Sequence, residues 1–136
     1  MGNELRIRIE SDSDIVRARE DGRKMGKKIG FSATDLTIIA TSISEVARNI
    51  LVFAGTGEIM LEETEDGGNR GIIITAMDNG PGIADISLAM QDGYSTGKGL
   101  GLGLPGVRRL MDEFQVISSM RKGTTVTMKK WVSKYA

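Results

Sequence analysis

The pattern of apolar residues predicts an α+β fold: a two-layer α/β sandwich whose mixed, mainly antiparallel sheet carries helices on one face. Three observations predict it. Apolar positions alternate with a period of two in some segments and recur every three or four residues in others. These segments run in the order strand, helix, helix, strand, strand, a helical and loop insert, strand, strand. Tight-turn residues, Asp66-Gly67-Gly68-Asn69 and Lys122-Gly123, join consecutive strands as hairpins. With 136 residues and no visible repeat or linker, the chain reads as one domain over 1–136.

The first strand is Glu4–Glu10, in which apolar and polar residues alternate. Ser11–Asp14 supply helix-capping side chains, and a helical pattern runs from Ile15 through Met25 and Ile29 to a stop at Gly30. A second helix starts at Ser32, with Asp35 placed as in a near capping box, and reaches about Ala54. Its apolar stripe includes Leu36, Ile39, Ile43, Val46, Ile50 and Phe53, and Gly55 and Gly57 end it. Strands at Glu58–Glu65 and Gly71–Asp78 follow. A short helix near Asp85–Met90 leads to a glycine loop, Gly93–Gly106, overlapping a helix at Leu104–Glu113. Strands at Phe114–Met120 and Thr124–Val132 complete the sheet.

The totals exclude several chemistries. There is no Cys, hence no disulfide, thiolate nucleophile or thiolate metal site. There is no His, so any general base is a carboxylate, Lys or Tyr, and any metal is a hard cation held by oxygen. Lys and Arg number 18 and Asp and Glu 18, which gives no reason to expect nucleic acid or an anionic membrane as partner. The uninterrupted apolar runs are far shorter than a membrane span, and the N-terminus lacks a signal-peptide core. A cytoplasmic protein is the expectation.

Three segments could carry chemistry. Glu45 and Asn49 are four apart on the second helix and share a face, with Arg48 beside them. Alone, they read as a surface ion pair beside a core stripe; functionally, they offer a carboxylate base next to an oxygen ligand for a cation. Asp78 closes an apolar strand and opens Asp78-Asn79-Gly80-Pro81-Gly82. That is a turn sequence, but it also places a carboxylate where it could accept a hydrogen bond from the amine of adenine and repel the carbonyl of guanine. An unpaired buried acceptor costs about 1–3 kcal/mol, enough to prefer ATP to GTP. Finally, Gly97-Lys98-Gly99-Leu100-Gly101-Leu102-Gly103 runs into a helix, so its N–H groups and the helix N-terminus suit a phosphate. Gly123-Thr124, by itself, is a hairpin turn.

Two decoys fail. Gly101, Gly103 and Gly106 match the dinucleotide fingerprint, but loop residues precede them and no acidic residue follows about 20 positions on. Gly93 through Gly99 is one residue short of a Walker A loop and lacks Ser or Thr after Lys98.

Taken together, Glu-x-x-x-Asn, Asp-x-Gly-x-Gly, Gly-x-Gly-x-Gly and Gly-Thr occur in the order of the four nucleotide boxes of the GHKL (Bergerat-fold) ATPases, the superfamily of gyrase, Hsp90, histidine kinases and MutL. Within it, Ser44–Ile50, Asp78–Ile83 and Gly93–Phe114 resemble the RsbT-type serine kinases of bacterial stressosome, or partner-switching, pathways. The likeness spans about Leu5 to Trp131. It implies ATP and Mg²⁺ as cofactors, with Glu45 as general base toward a serine hydroxyl and Asn49 as Mg²⁺ ligand. Asp78 would bind the adenine amine, with Gly80 and Gly82 at the base pocket. Thr124 would support Asp78, through water. Gly99-Leu100-Gly101-Leu102-Gly103 would form the ATP lid, with Ser95 and Thr96 near the phosphates. Some relatives place an Arg in the lid against the γ-phosphate. Here the stretch is glycine-rich, leaving Lys98 or Arg48 as the candidate cation.

The resemblance implies a kinase that phosphorylates a STAS-domain antagonist and then activates a PP2C-type phosphatase in stress-responsive sigma-factor control. The alternative is an anti-sigma or switch module whose ATP pocket is regulatory. Glu45 separates the two, because a pure binder needs no base. A stand-alone gyrase- or Hsp90-type ATPase would carry transducer domains for which 136 residues leave no room.

Overall fold

The computed structural model describes residues 4–80, 103–119 and 122–133. In order the elements are β1 (Glu4–Ile9), α1 (Asp12–Ile29), α2 (Ala33–Phe53), β2 (Gly57–Asp66), β3 (Asn69–Asp78), α3 (Gly103–Leu110), β4 (Glu113–Ser119) and β5 (Gly123–Trp131). The strands form one sheet in the order β1-β2-β3-β5-β4. Every pairing among the described residues is antiparallel, where a mixed, mainly antiparallel sheet was expected. The expected helix near Asp85–Met90 and most of the glycine loop lie outside the described residues.

Period-two alternation sorts each strand into two faces, and the register lines up the inner ones. One row is Leu5, Leu61, Ile74, Met128 and Phe114; the next is Ile7, Ile59, Ala76, Val126 and Val116. Ile7, Ile59, Leu61, Ile74 and Met128 are almost wholly buried in these rows, under α1 and α2. The third row turns polar partway along: Ile9, Gly57, Asp78, Thr124 and Ser118. Asp78 therefore sits on the helix-facing side of the sheet, following the core residues Ile72, Ile74 and Ala76 on the same face of its strand.

Helix α1 begins three residues before the expected Ile15. Asp14 turns back to accept the N–H groups of Glu10 at 2.9 Å and Ser11 at 3.2 Å, which closes the first turn early. The Glu10 N–H holds the Asp14 carboxyl below the usual carboxylate range. Helix α2 starts as expected, with Ser32 Oγ accepting the Asp35 N–H at 3.2 Å. The capping box is only half made, because the Asp35 carboxylate faces Lys130 Nζ at 3.9 Å instead. That lysine, 9% exposed, also donates to the Leu110 carbonyl at 3.2 Å. It ties the last turn of α3 to the first turn of α2.

Helix α3 stops at Leu110, short of the expected Glu113. Past Leu110 the chain joins the sheet, with Asp112 N–H donating to Lys129 O at 3.0 Å and Glu113 opening β4. Gly55 and Gly57 were expected to end α2. Gly55 does so together with Ala54, both N–H groups donating to Ile50 O at 2.9 Å, whereas Gly57 is the first residue of β2.

By length and composition α2 could cross a membrane, although the uninterrupted apolar runs are short. Its apolar stripe is used internally: Ile39, Ile43, Val46, Ala47 and Ile50 are buried against α1 and the sheet. This is the core helix of a sandwich.

Candidate active site

The strand-end aspartate is held by its neighbours. Asp78 Oδ1 accepts the Gly80 N–H at 2.9 Å, closing the turn that leaves β3, and the Thr124 N–H at 3.3 Å from its register partner on β5. Oδ2 accepts nothing among the described residues. One oxygen thus orients the carboxylate and the other remains an acceptor. Thr124 meets Asp78 through its backbone N–H and not through its hydroxyl, which pairs with Ser118 Oγ at 2.8 Å.

The Gly-Thr pair now has a physical reason. Gly123 has φ +100°, which L side chains rarely adopt, and a Cβ there would lie 2.0 Å from the Asp78 carbonyl oxygen. Only glycine lets β5 come this close behind the aspartate. Gly57, on the other side of β3, is similar: a Cβ would lie 2.4 Å from Met77 O and 3.2 Å from Asp78 Cβ. Sequence reading missed Gly57 and Ser118 as parts of this corner. The legible signal for Gly57 is a glycine beside a β-strand, which often marks close backbone approach.

In front of Asp78 lies a narrow cleft of about 20 Å³ between α2, α3 and the sheet. Val46, Ile50, Ala76, Leu104 and Val126 make it apolar, and Asn49 and Asp78 are polar groups at its wall. An apolar slot ending in a carboxylate with one uncommitted acceptor fits a flat heteroaromatic base bearing an exocyclic amine. The space equals roughly one water, so a base enters by spreading these walls.

Glu45 is 4% exposed, although it is a carboxylate on a helix. Its face of α2 borders a second opening, a groove of about 510 Å³ between α1 and α2. Asn49, one turn later, faces the cleft. The two therefore stand at the boundary between the cavities, one toward each. Ser42, one turn before, is wholly buried and its hydroxyl has no hydrogen-bond partner among the described residues. Arg48 lines the groove and not the cleft, with its guanidinium 3.6 Å from Asp12 on α1.

Of the expected nucleotide residues, the structure brings together Asn49, Asp78, Gly80 and Thr124, and puts Arg48 on the far side of α2 from the base cleft. Gly103 is buried at the start of α3, beside Leu104 of the cleft wall. Gly82, Ser95, Thr96, Lys98, Gly99, Leu100, Gly101 and Leu102 lie outside the described residues.

Comparison with known proteins agrees with this fold. Residues 34–134 match the family described as histidine kinase-, DNA gyrase B-, and HSP90-like ATPase. The serine/threonine-protein kinase RsbT of Bacillus subtilis is 48% identical over 97% of this chain and 99% of its own length. An anti-sigma F factor of Clostridium kluyveri is 34% identical over 71% of this chain and 70% of its own. Among solved structures, the RsbU and RsbW domains of a Mycobacterium tuberculosis protein superpose with a TM-score of 0.65 at 18% identity, over 96% of this chain and 32% of that one, a likeness of fold. The chain belongs to the histidine kinase-, DNA gyrase B- and HSP90-like ATPases and, within them, to the RsbT-type serine/threonine-protein kinases.

Proposed function

We propose that this kinase transfers the γ-phosphoryl group of Mg-ATP to a serine of a STAS-domain antagonist in a cytoplasmic partner-switching pathway, and that the kinase freed by this transfer activates a PP2C-type phosphatase. The observation that carries the reading is the division of labour on one face of α2: Glu45 at the groove and Asn49 at the cleft that ends in Asp78.

Each role follows from chemistry. Asp78 Oδ2 accepts the adenine amine while Oδ1 stays bound to Gly80 and Thr124. Asn49 would offer its amide oxygen to Mg²⁺, a hard cation that takes oxygen ligands. When bound, Mg²⁺ offsets the charge of the phosphates. Glu45 takes the proton of the serine hydroxyl as that oxygen bonds to phosphorus and ADP leaves with the electrons of the broken P–O bond. A base in this position contributes about 10²–10⁴-fold.

The test pairs labelled-phosphate transfer to a STAS-domain protein, followed by phosphosite mapping, with calorimetric nucleotide binding. Glu45→Ala is expected to lose transfer by about 100-fold or more and keep its affinity for ATP. Undiminished transfer by that variant rules out the base. The second reading, a switch module with a regulatory nucleotide, draws support from the anti-sigma F relative. It requires that the unaltered chain bind Mg-ATP and the antagonist without phosphorylating it.

A further inference from the structure

The groove between α1 and α2 has a charge pattern that the nucleotide roles do not use. Arg19 and Arg23 are four apart on α1, so they lie one above the other along the groove. Both are half-buried, and neither makes an ion pair or hydrogen bond among the described residues. Arg48 enters from the α2 side, engaged among the described residues at 3.6 Å with Asp12, whose side chain is 85% exposed. Glu20, exposed, and Glu45, buried, are the acidic residues of the lining. Positive charge therefore exceeds negative along a partly desolvated wall, where attraction for an anion is screened less than on open surface. Each guanidinium also presents a rigid fork of donors that matches a carboxylate.

We infer that this groove is the docking site for the acceptor segment of the protein substrate, and that Arg19 and Arg23 bind a carboxylate side chain flanking the acceptor serine. The inference rests on the kinase reading above. Geometry favours this route: the cleft side of α2 is the side assigned to nucleotide, so a hydroxyl reaching Glu45 must come from the groove. At about 510 Å³ the groove admits several side chains at once. The acidic flank also explains why Arg19 and Arg23 stand without partners among the described residues: their counter-ion belongs to another molecule. Such a device raises the encounter rate and fixes the register of the acceptor segment.

The experiment measures binding of a STAS-domain antagonist to the full chain with Mg-ADP present, so no transfer is needed. The wild-type affinity is expected to fall steeply as salt rises from about 50 to 200 mM. The double variant R19E/R23E is expected to bind at least about 30-fold more weakly, with a flattened salt dependence and unchanged ADP affinity. An antagonist with the acidic residues beside its acceptor serine changed to Lys should bind the reversed kinase better than the wild type. R19Q/R23Q, which keeps side-chain length, serves if charge reversal unfolds α1, and should fall between the two. Wild-type binding that persists undiminished in both variants overturns the groove assignment and leaves the kinase reading standing. Tighter binding of the phosphorylated than of the unphosphorylated antagonist overturns the carboxylate assignment, since the arginines would then be reading the product phosphate. If the wild type phosphorylates and binds no STAS-domain protein, the kinase–antagonist reading falls, and the docking site with it.

Discussion

Around Asp78, one carboxylate oxygen takes two backbone N–H groups, a glycine on each flanking strand leaves no room for a methyl group, and the cleft in front measures about 20 Å³. Around Arg19 and Arg23, two half-buried guanidinium groups have no partner among the described residues and the groove measures about 510 Å³. In the first region the backbone sets the aspartate before any ligand arrives, although the cleft walls must spread to admit a base; the second is left to be completed by its ligand. A nucleotide is the same molecule in every cycle, so a pre-set corner suits it. A protein partner brings its own side chains, so an open, charged wall suits it. Glu45 and Asn49 sit between the two on a helix whose opposite face is core, which keeps the pair still relative to both.

If the Asp78 corner is rigid, altering its scaffold should cost more than altering its ligand contact. The largest effect is expected from Gly123→Ala. The new Cβ meets the Asp78 carbonyl and the backbone is held at φ +100°. Both strain and displacement follow, with a loss of about 3 kcal/mol in denaturant-measured stability and weakened ATP binding. A variant as stable as the parent would show that β5 can retreat and that the corner is not fixed.

Next is Lys130→Met, which keeps the buried stem but removes the cation from the Leu110 carbonyl and from Asp35. About 2 kcal/mol of stability should be lost, because a helix-terminal carbonyl and a carboxylate both lose a charged partner. The Asp35→Asn variant should lose less, since the 3.2 Å bond to Leu110 survives. Equal losses would place the energy in the ion pair instead.

Asp78→Asn tests the contact with the scaffold kept. Asparagine Oδ1 can still accept from Gly80 and Thr124, so stability should hardly change. Its amide, however, presents donors where the second carboxylate oxygen stood, facing an amine donor. Adenine nucleotide affinity should fall about 10- to 30-fold, roughly 2 kcal/mol, by calorimetry. An unchanged affinity would remove the adenine role from this residue.

The fold was readable because its signals are local and redundant. The period of two in β1, the short apolar run of β3 and the stripe on α2 each fix an element without reference to the others. Boundaries were missed where a distant residue decides them: α3 ends at Leu110 because β5 supplies Lys130 and Lys129 O there. In the site, Glu45, Asn49 and Asp78 were legible as residue types at a spacing. Their division between two cavities was not, since the roughly 40° between residues four apart on a helix acquires meaning only once α1 and α3 are packed on either side. Gly57 and Gly123 were visible as glycines, but their reason lies in a backbone contact across β3 that no spacing encodes.

The smallest effect expected is a gain. Ser42 is wholly buried on α2, one turn before Glu45, and its hydroxyl finds no partner among the described residues. Serine in mid-helix often bonds back to the carbonyl four residues earlier, as Ser44 does to Ala40 at 3.0 Å, so the hydroxyl of Ser42 is a cost rather than a contact. Ser42→Ala should therefore raise stability by about 1 kcal/mol in urea denaturation, the desolvation cost less the small loss of packing. A drop of that size would mean that the hydroxyl is bonded in solution and that α2 is more tightly tied to its surroundings than the contrast between corner and groove requires. If the gain appears together with slower phosphate transfer, the fixed region extends one turn further along α2, because a buried hydroxyl kept at the expense of stability next to the base is then serving the site.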